Sequence, residues 1–253
     1  MIRAALFDFD GTLSLIREGW AGIMADLGLD LFRERAIEVR PDDRTFLEDQ
    51  MLRLSGKPSI YQMRRLADEI SHRGGTPSDP DSYLTEFHRR LFEKVDCRIA
   101  DLEAGRVLPA AWTVSGSHAL LEVLQSRGVP LYLASGTDQA HVHRELALLD
   151  LAKYFGPRVY APANNTPQFS KRDVVEMIVR THGGPPVGFG DGYAETVEVK
   201  QAGGFVVGVA SREAGEPGLN ELKKRMLLEL GADVVVADYA RFGPLVAKLW
   251  DEG

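Results

Sequence analysis

Two aspartates, Asp8 and Asp10, stand two residues apart in the segment DFDGT, directly after a short apolar run. Alternation along an extended strand points both side chains to one side, and Gly11 permits a sharp bend after them. Carboxylates this close repel one another unless a cation lies between them. A hard divalent ion such as Mg²⁺, which takes oxygen ligands and keeps several waters, suits the pair. Taken alone, the pattern also fits a turn with solvated aspartates, but three further segments weigh against that. PLYLASGT places Ser135, with Gly136 and Thr137 beside it, at the end of another apolar run. A hydroxyl and free backbone N–H groups there can hold a phosphate oxygen. Ser170 and Asp173 have the spacing of a helix N-terminal cap, so Lys171 falls in the first helical turn. A cation there opposes the helix dipole, and the misfit favours a role in neutralising an anion. GFGDGYAE ends a further run with Asp191, and Glu195 completes a second acidic pair.

These residues need a scaffold that brings several strand ends together. Short apolar runs at Ile2 to Phe7, Val129 to Ala134, Arg158 to Tyr160, Val187 to Phe189, Phe205 to Val209 and Val234 to Val236 read as buried strands. Helical stripes lie between them: Leu120, Val123, Leu124 and Arg127; Val174, Val175, Ile178 and Val179; Leu219, Leu222, Met226 and Leu230. Gly128, Gly183 and Gly231 stand where C-terminal caps belong. Such alternation predicts an α/β fold with a parallel sheet between helix layers. From Ser14 to Leu108 the periodicity is helical throughout, which predicts an all-helical insertion after the first strand. Ser59 and Gln62 have capping-box spacing before the apolar face Met63, Leu66, Ala67 and Ile70, and Leu84, Phe87, Leu91 and Val95 form another face. Gly74 to Pro80 reads as the loop between them.

DFDGT, Ser135 after PLYLA, Lys171 and GDGYAE occur in the order of the four motifs of the haloacid dehalogenase superfamily. Over essentially its whole length the chain resembles the phosphohydrolase branch with a C1-type helical cap, which includes phosphoglycolate phosphatases and β-phosphoglucomutases; VKQAGGFVVGVAS continues much as relatives do. The resemblance implies a Rossmann-like core from residues 1–13 and 109–253 and a cap from 14–108. It makes Asp8 the nucleophile that forms an aspartyl phosphate, and Asp10 the acid and then base. Ser135 and Lys171 would hold the phosphoryl oxygens. Asp8, the Asp10 carbonyl and Asp191 would bind Mg²⁺, with a Glu195 contact that is direct, through water, or absent. The implied substrate is a small phosphorylated metabolite. Arg17 and Trp20, which follow the first motif, and Lys57, in the segment LSGKPS that resembles the family's specificity loop, are candidate substrate contacts, with Gly136 and Thr137. Two departures stand out: Glu195 replaces the usual second aspartate, and the proline that often follows the lysine is missing, so Arg172 rivals Lys171. Asp10 argues against dehalogenation, because a halide leaving group needs no proton. A phosphomutase and a catalytically idle binding protein are the alternatives.

Composition agrees with a soluble enzyme of this kind. The chain has 253 residues, 44% hydrophobic and 26% charged, with a net charge of −7. That charge speaks against a nucleic-acid-binding surface. No apolar run approaches the ~18 residues of a membrane span, and the first apolar stretch stops at Asp8, too short for a signal peptide. A cytoplasmic location is therefore expected. Oligomeric state is not legible. Cys97, the only cysteine, excludes cysteine-cluster metal sites and reads as a small buried hydrophobe. His141 and His143 sit two apart on a helical stretch and project from different faces, so surface or capping roles are expected. Gly188, Gly190 and Gly192 fail the dinucleotide pattern at Glu195. The arginines of the insertion, among them Arg53, Arg64, Arg65, Arg89 and Arg90, read as a solvated, ion-paired surface.

Overall fold

The first apolar run forms strand β1 (Ala5–Phe7), all of whose residues are buried. A strand covered on both faces reads as continuous apolar sequence rather than alternation, as parallel sheets between helix layers require. Five strands follow: β2 (Leu131–Ala134), β3 (Val159–Tyr160), β4 (Val187–Gly190), β5 (Val206–Val209) and β6 (Val234–Val236). All pair in parallel, in the order β3-β2-β1-β4-β5-β6. Each coincides with a run read from the sequence, although β1 and β2 begin at Ala5 and Leu131 rather than at Ile2 and Val129. Pro130, which has no N–H to give a ladder, accounts for the later start of β2. The computed structural model describes residues 2–55, 58–163, 169–212, 216 and 218–251.

The chain runs from β1 outward to β2 and β3 and then crosses to β4, so the winding reverses between β1 and β4. Open parallel sheets bind ligands at the carboxyl ends of strands beside such a reversal. Register makes this concrete: Phe7 lies level with Leu133 and with Phe189. Asp8, Ser135 and Asp191 therefore emerge together, within two residues of that common level. Phe7 stacks on Phe189 with ring centroids 4.3 Å apart and meets Phe155 edge-on at 6.1 Å. Three buried rings thus underlie the strand ends.

Between β1 and β2 come α1 (Trp20–Glu34), α2 (Asp43–Leu52), α3 (Ile60–His72) and α4 (Pro80–Glu103), with no strand pairing among their described residues. The buried face of α3 includes Met63, Leu66, Ala67 and Ile70, and that of α4 includes Phe87, Leu91 and Val95, as the periodicity predicts. Asp79 caps α4 by accepting from the Asp81 N–H, with Pro80 at the first helical position. Two local expectations fail. Ser59 has helical backbone (φ −60°, ψ −17°) and makes no side-chain cap bond, while the Gln62 amide donates to the Leu54 carbonyl at 3.3 Å. A cap residue needs non-helical backbone, so no capping box forms. Cys97 is exposed, because it falls outside the buried stripe of α4 that continues through Val95, Arg98 and Ile99.

The insertion returns through a 3₁₀ turn at Pro109–Trp112. Its two connections are tied side by side, the Leu15 N–H donating to the Trp112 carbonyl at 2.8 Å and the Val114 N–H to the Leu13 carbonyl at 3.0 Å. Then come α5 (Ser117–Ser126), α6 (Gln139–Leu148), α7 (Ala152–Phe155), α8 (Lys171–His182), α9 (Tyr193–Gln201), α10 (Glu221–Glu229) and α11 (Phe242–Asp251) around the sheet. Gly128, Gly183 and Gly231 follow α5, α8 and α10 with positive φ, as expected of C-terminal caps. No helix among the described residues is long and apolar enough to cross a membrane.

Because Phe7 is fully buried between two other rings, Phe7→Ala is expected to cost about 3–5 kcal/mol of folding stability. Urea denaturation followed by far-UV circular dichroism measures this. A loss below about 1 kcal/mol would show that the aromatic cluster does not support the strand ends.

Candidate active site

Asp8 is fixed by its backbone, whose N–H donates to the Phe189 carbonyl at 2.8 Å. The Lys171 ammonium, at the first residue of α8, lies 2.7 Å from Asp8 Oδ1 and 2.8 Å from Glu195 Oε2. All three groups are buried. Arg172 points away and pairs with Glu198 at 2.9 Å on the surface, so the geometry selects Lys171 from the two candidates. Ser170 has the extended backbone of a cap residue but makes no side-chain cap bond, and the expected box with Asp173 does not form. Glu195 folds back across the end of β4: its Oε1 accepts from the Gly192 N–H at 2.6 Å, and a Cβ at Gly190 would overlap its side chain. Both oxygens of Glu195 are thus engaged.

Burial, with repulsion from Glu195 and Asp191, pushes the Asp8 carboxyl well above its ordinary pKa, outweighing the pull of Lys171. For Glu195 burial acts in the same direction, but Lys171 and the backbone N–H more than offset it and hold the group below its ordinary value. Lys171 stays cationic, since its two carboxylate partners overcome the cost of burial.

Asp191 joins a second cation-centred group that the sequence did not reveal. Lys223, on α10 and 1% exposed, donates to Asp191 Oδ2 at 2.9 Å, to Glu18 Oε1 at 2.8 Å and to Ser211 Oγ at 3.4 Å. Ser211 in turn donates to the Gly11 carbonyl at 2.5 Å. Gly11 has φ +74°, and a Cβ there would overlap Asp191 Oδ2, so the bend after β1 requires glycine twice over. Burial raises the Asp191 pKa to about 6 despite Lys223.

The third group surrounds Asp10. Its Oδ2 accepts from the Thr137 hydroxyl at 2.7 Å, and its Oδ1 lies 3.7 Å from Arg17 Nε. Arg17 donates to Glu145 Oε1 at 2.7 Å, and Glu145, on α6, is wholly buried. Burial pushes Glu145 up to about 7 against the attraction of Arg17. Asp10 Oδ1, Arg17 Nε and Glu145 Oε2 are buried without a hydrogen-bond partner. Ser135, at the end of β2, is fully buried and its Oγ accepts from the Thr137 N–H at 3.1 Å. Gly136 beside it is exposed.

Side chains of the insertion shape this end of the sheet. Arg98 of α4 donates to the carbonyls of Leu15, Ile16 and Glu18 at 3.1, 2.8 and 3.0 Å. It thereby fixes the segment that carries Arg17 and Glu18. Ser55 reaches the GDGYAE segment, its carbonyl accepting from the Tyr193 N–H at 3.2 Å. Trp20 is half-buried at the start of α1. Lys57 lies outside the described residues. His143 is exposed and His141 half-buried against Phe92, as expected of surface positions.

Asp8, Asp191 and Glu195 are the one group of metal-type ligands among the described residues, each offering an oxygen within 4.8 Å of the others. A charge count tests whether a divalent ion fits. Asp8, Asp191, Glu195 and Glu18 are four carboxylates around two ammonium groups, Lys171 and Lys223. With all four ionised, two negative charges would be uncompensated in a buried space. An oxygen-only donor set with that excess suits a hard dication such as Mg²⁺.

Removing one partner of a buried ion pair strands the other charge. Glu145→Ala is accordingly expected to lose about 3–5 kcal/mol of stability, and Glu145→Gln, which keeps an acceptor for Arg17, clearly less. Equilibrium urea unfolding of both variants checks the order; equal losses would mean that Arg17 does not depend on the Glu145 oxygen.

The same arrangement can be set beside known proteins. A family profile for haloacid dehalogenase-like hydrolases matches residues 2–203. No curated protein sequence matches the chain. Among solved structures, a haloacid dehalogenase family hydrolase from Deinococcus radiodurans R1 with bound phosphate and sodium is 20% identical with a TM-score of 0.59, over 98% of this chain and 96% of that one. A β-phosphoglucomutase from Clostridium difficile is 19% identical with a TM-score of 0.58, over 100% and 98%. A predicted phosphoglycolate phosphatase from Haemophilus somnus 129pt is 14% identical with a TM-score of 0.56, over 97% and 98%. At these identities the likeness is one of fold. The family match spans most of the chain, and the protein belongs to the haloacid dehalogenase-like hydrolases.

Proposed function

We propose that the protein is a Mg²⁺-dependent phosphatase, cytoplasmic and acting on a small phosphorylated metabolite through an aspartyl phosphate on Asp8. The observation that carries this reading is the buried Asp8 carboxylate at the end of β1, 2.7 Å from the Lys171 ammonium. Attack by Asp8 on phosphorus forms the acyl phosphate bond and breaks the ester P–O bond. Asp10 protonates the departing ester oxygen. Next, Asp10 takes a proton from the water that attacks the aspartyl phosphate, which releases inorganic phosphate and restores Asp8. Thr137 steadies one oxygen of Asp10, and the other lies 3.7 Å from Arg17 Nε.

Phosphoryl transfer spreads charge over the equatorial oxygens, so positioned cations and donors dominate the rate. On this reading Lys171 and the Ser135 hydroxyl meet that charge. Asp8, the Asp10 carbonyl and Asp191 would hold Mg²⁺, which when bound supplies further positive charge to the transferring group. Glu195, with both oxygens engaged, serves Lys171 and would reach the ion only through water. We take residues 14–108 as the cap that excludes bulk water, with Trp20 and Lys57 as substrate contacts. Hydrolysis is preferred to mutase action because no sequence feature fixes a sugar in two orientations. An idle fold is disfavoured by the presence together of Asp8, Asp10, Lys171 and Asp191.

Asp8→Asn keeps nearly the same volume and removes the nucleophile. Phosphate release from a panel of phosphomonoesters with Mg²⁺ should fall by several orders of magnitude while the melting temperature is maintained; retained activity would exclude the covalent route. Accumulation of an isomeric sugar phosphate with little free phosphate would instead identify a mutase.

A second expectation follows from the raised pKa of Asp191, moved from 3.8 to about 6 by burial. Between those values the folded, metal-free protein holds a proton that the unfolded chain has released, so this group's contribution to stability falls as pH rises through the window. A divalent ion binds the ionised form and competes with that proton. Thermal melts should show a Mg²⁺-induced rise in Tm that is larger at about pH 7.5 than at about pH 5. Equal shifts would mean that Asp191 is not a ligand.

A further inference from the structure

Lys223 lies outside all four sequence motifs, yet it is more deeply buried than Lys171, at 1% against 8% exposure. Its backbone N–H is held at 3.1 Å by the Asn220 side chain that caps α10, and α10 packs against β5. From that fixed base the ammonium reaches three loops at the carboxyl ends of neighbouring strands. It meets Glu18 after β1, Asp191 after β4 and Ser211 after β5. Its three protons thus have three acceptors. The contact on Asp191 is to one named oxygen, Oδ2, and Gly11 packs against that same oxygen. Asp191 is held from two sides with Oδ2 occupied.

We propose that Lys223 is a positioning residue that confines Asp191 to one available oxygen and so makes the acidic cluster favour Mg²⁺ over Ca²⁺. The proposal rests on the reading of Asp8 and Asp191 as divalent-ion ligands. Mg²⁺ is small, takes near-octahedral geometry, and is content with one oxygen from each carboxylate. Ca²⁺ takes six to eight oxygens and often both from one carboxylate. An ammonium seated on Oδ2 satisfies the first ion and leaves the second a ligand short. Its positive charge weakens every divalent ion alike, so affinity alone does not report the effect; the ratio of two affinities does.

Isothermal titration of the metal-free full chain with MgCl₂ and with CaCl₂, in the absence of substrate, reads that ratio directly. Lys223→Met removes the ammonium and keeps chain length, but it leaves Glu18 and Asp191 facing each other without a cation. The double variant Lys223→Met/Glu18→Gln removes one charge of each sign and keeps the net charge unchanged. In both, the preference for Mg²⁺ over Ca²⁺ is expected to fall by about tenfold or more, as Asp191 gains a second oxygen for the larger ion. Glu18→Gln alone retains Lys223 on Asp191 and should keep the wild-type ratio. An unchanged ratio in the folded double variant, or a fall with Glu18→Gln alone, would overturn the role of Lys223 while leaving the metal site in place. Failure of the wild type to bind either ion would overturn both this proposal and the metal-dependent reading.

Discussion

Crowding of carboxylates at the reversal between β1 and β4 is the constraint to which the rest of the molecule answers. Six acids gather there, and three cations each join a motif aspartate to a glutamate: Lys171 joins Asp8 to Glu195, Lys223 joins Asp191 to Glu18, and Arg17 lies between Asp10 and Glu145. Buried ion pairs of this sort contribute little net stability, because desolvation consumes most of the Coulomb gain. They fix positions instead. Apolar packing beneath the strand ends, above all Phe7, Phe155 and Phe189, has to carry the stability that the site does not.

The helical insertion takes part in this arrangement. Arg98 of α4 gathers three carbonyls of the segment after β1, and that segment presents Arg17 and Glu18 inward. Ser55 touches the loop that carries Asp191 and Glu195. By contrast, the ion pairs between insertion and core at Arg53–Glu229, Arg144–Glu103 and Arg225–Asp49 lie on the surface, where such pairs are weak. Separation of the two parts is opposed mainly by the contacts near the site.

The motif aspartates and all six strands were legible from local sequence, because a buried parallel strand and its terminal polar residue are adjacent in the chain, and Lys171 stood out as a cation in the first turn of a helix. Glu18, Glu145 and Lys223 were not. Glu145 meets a partner 128 residues away, and Lys223 meets partners 205 and 32 residues away, distances at which one sequence carries no pairing signal. A faint cue existed on α10, where Lys223 shares the buried face with Met226 and Leu227. Local caps were the weakest reading: Ser59 and Ser170 have the residue types but make no cap bonds, whereas Asp79, Asp138 and Asn220 do. Arginine-rich helices read as solvated held for Arg89, yet Arg98, in the same helix, is buried. Only tertiary placement separates those two.

The central proposal is that Asp8 accepts the phosphoryl group. Rapid acid quench of the wild type during a single turnover of a phosphorus-labelled monoester with Mg²⁺, followed by peptide mapping, tests it most directly. Label on the peptide containing Asp8, at the position of Asp8, is the predicted result. Phosphate release with no labelled protein at any time, or label on a different residue, would contradict the account.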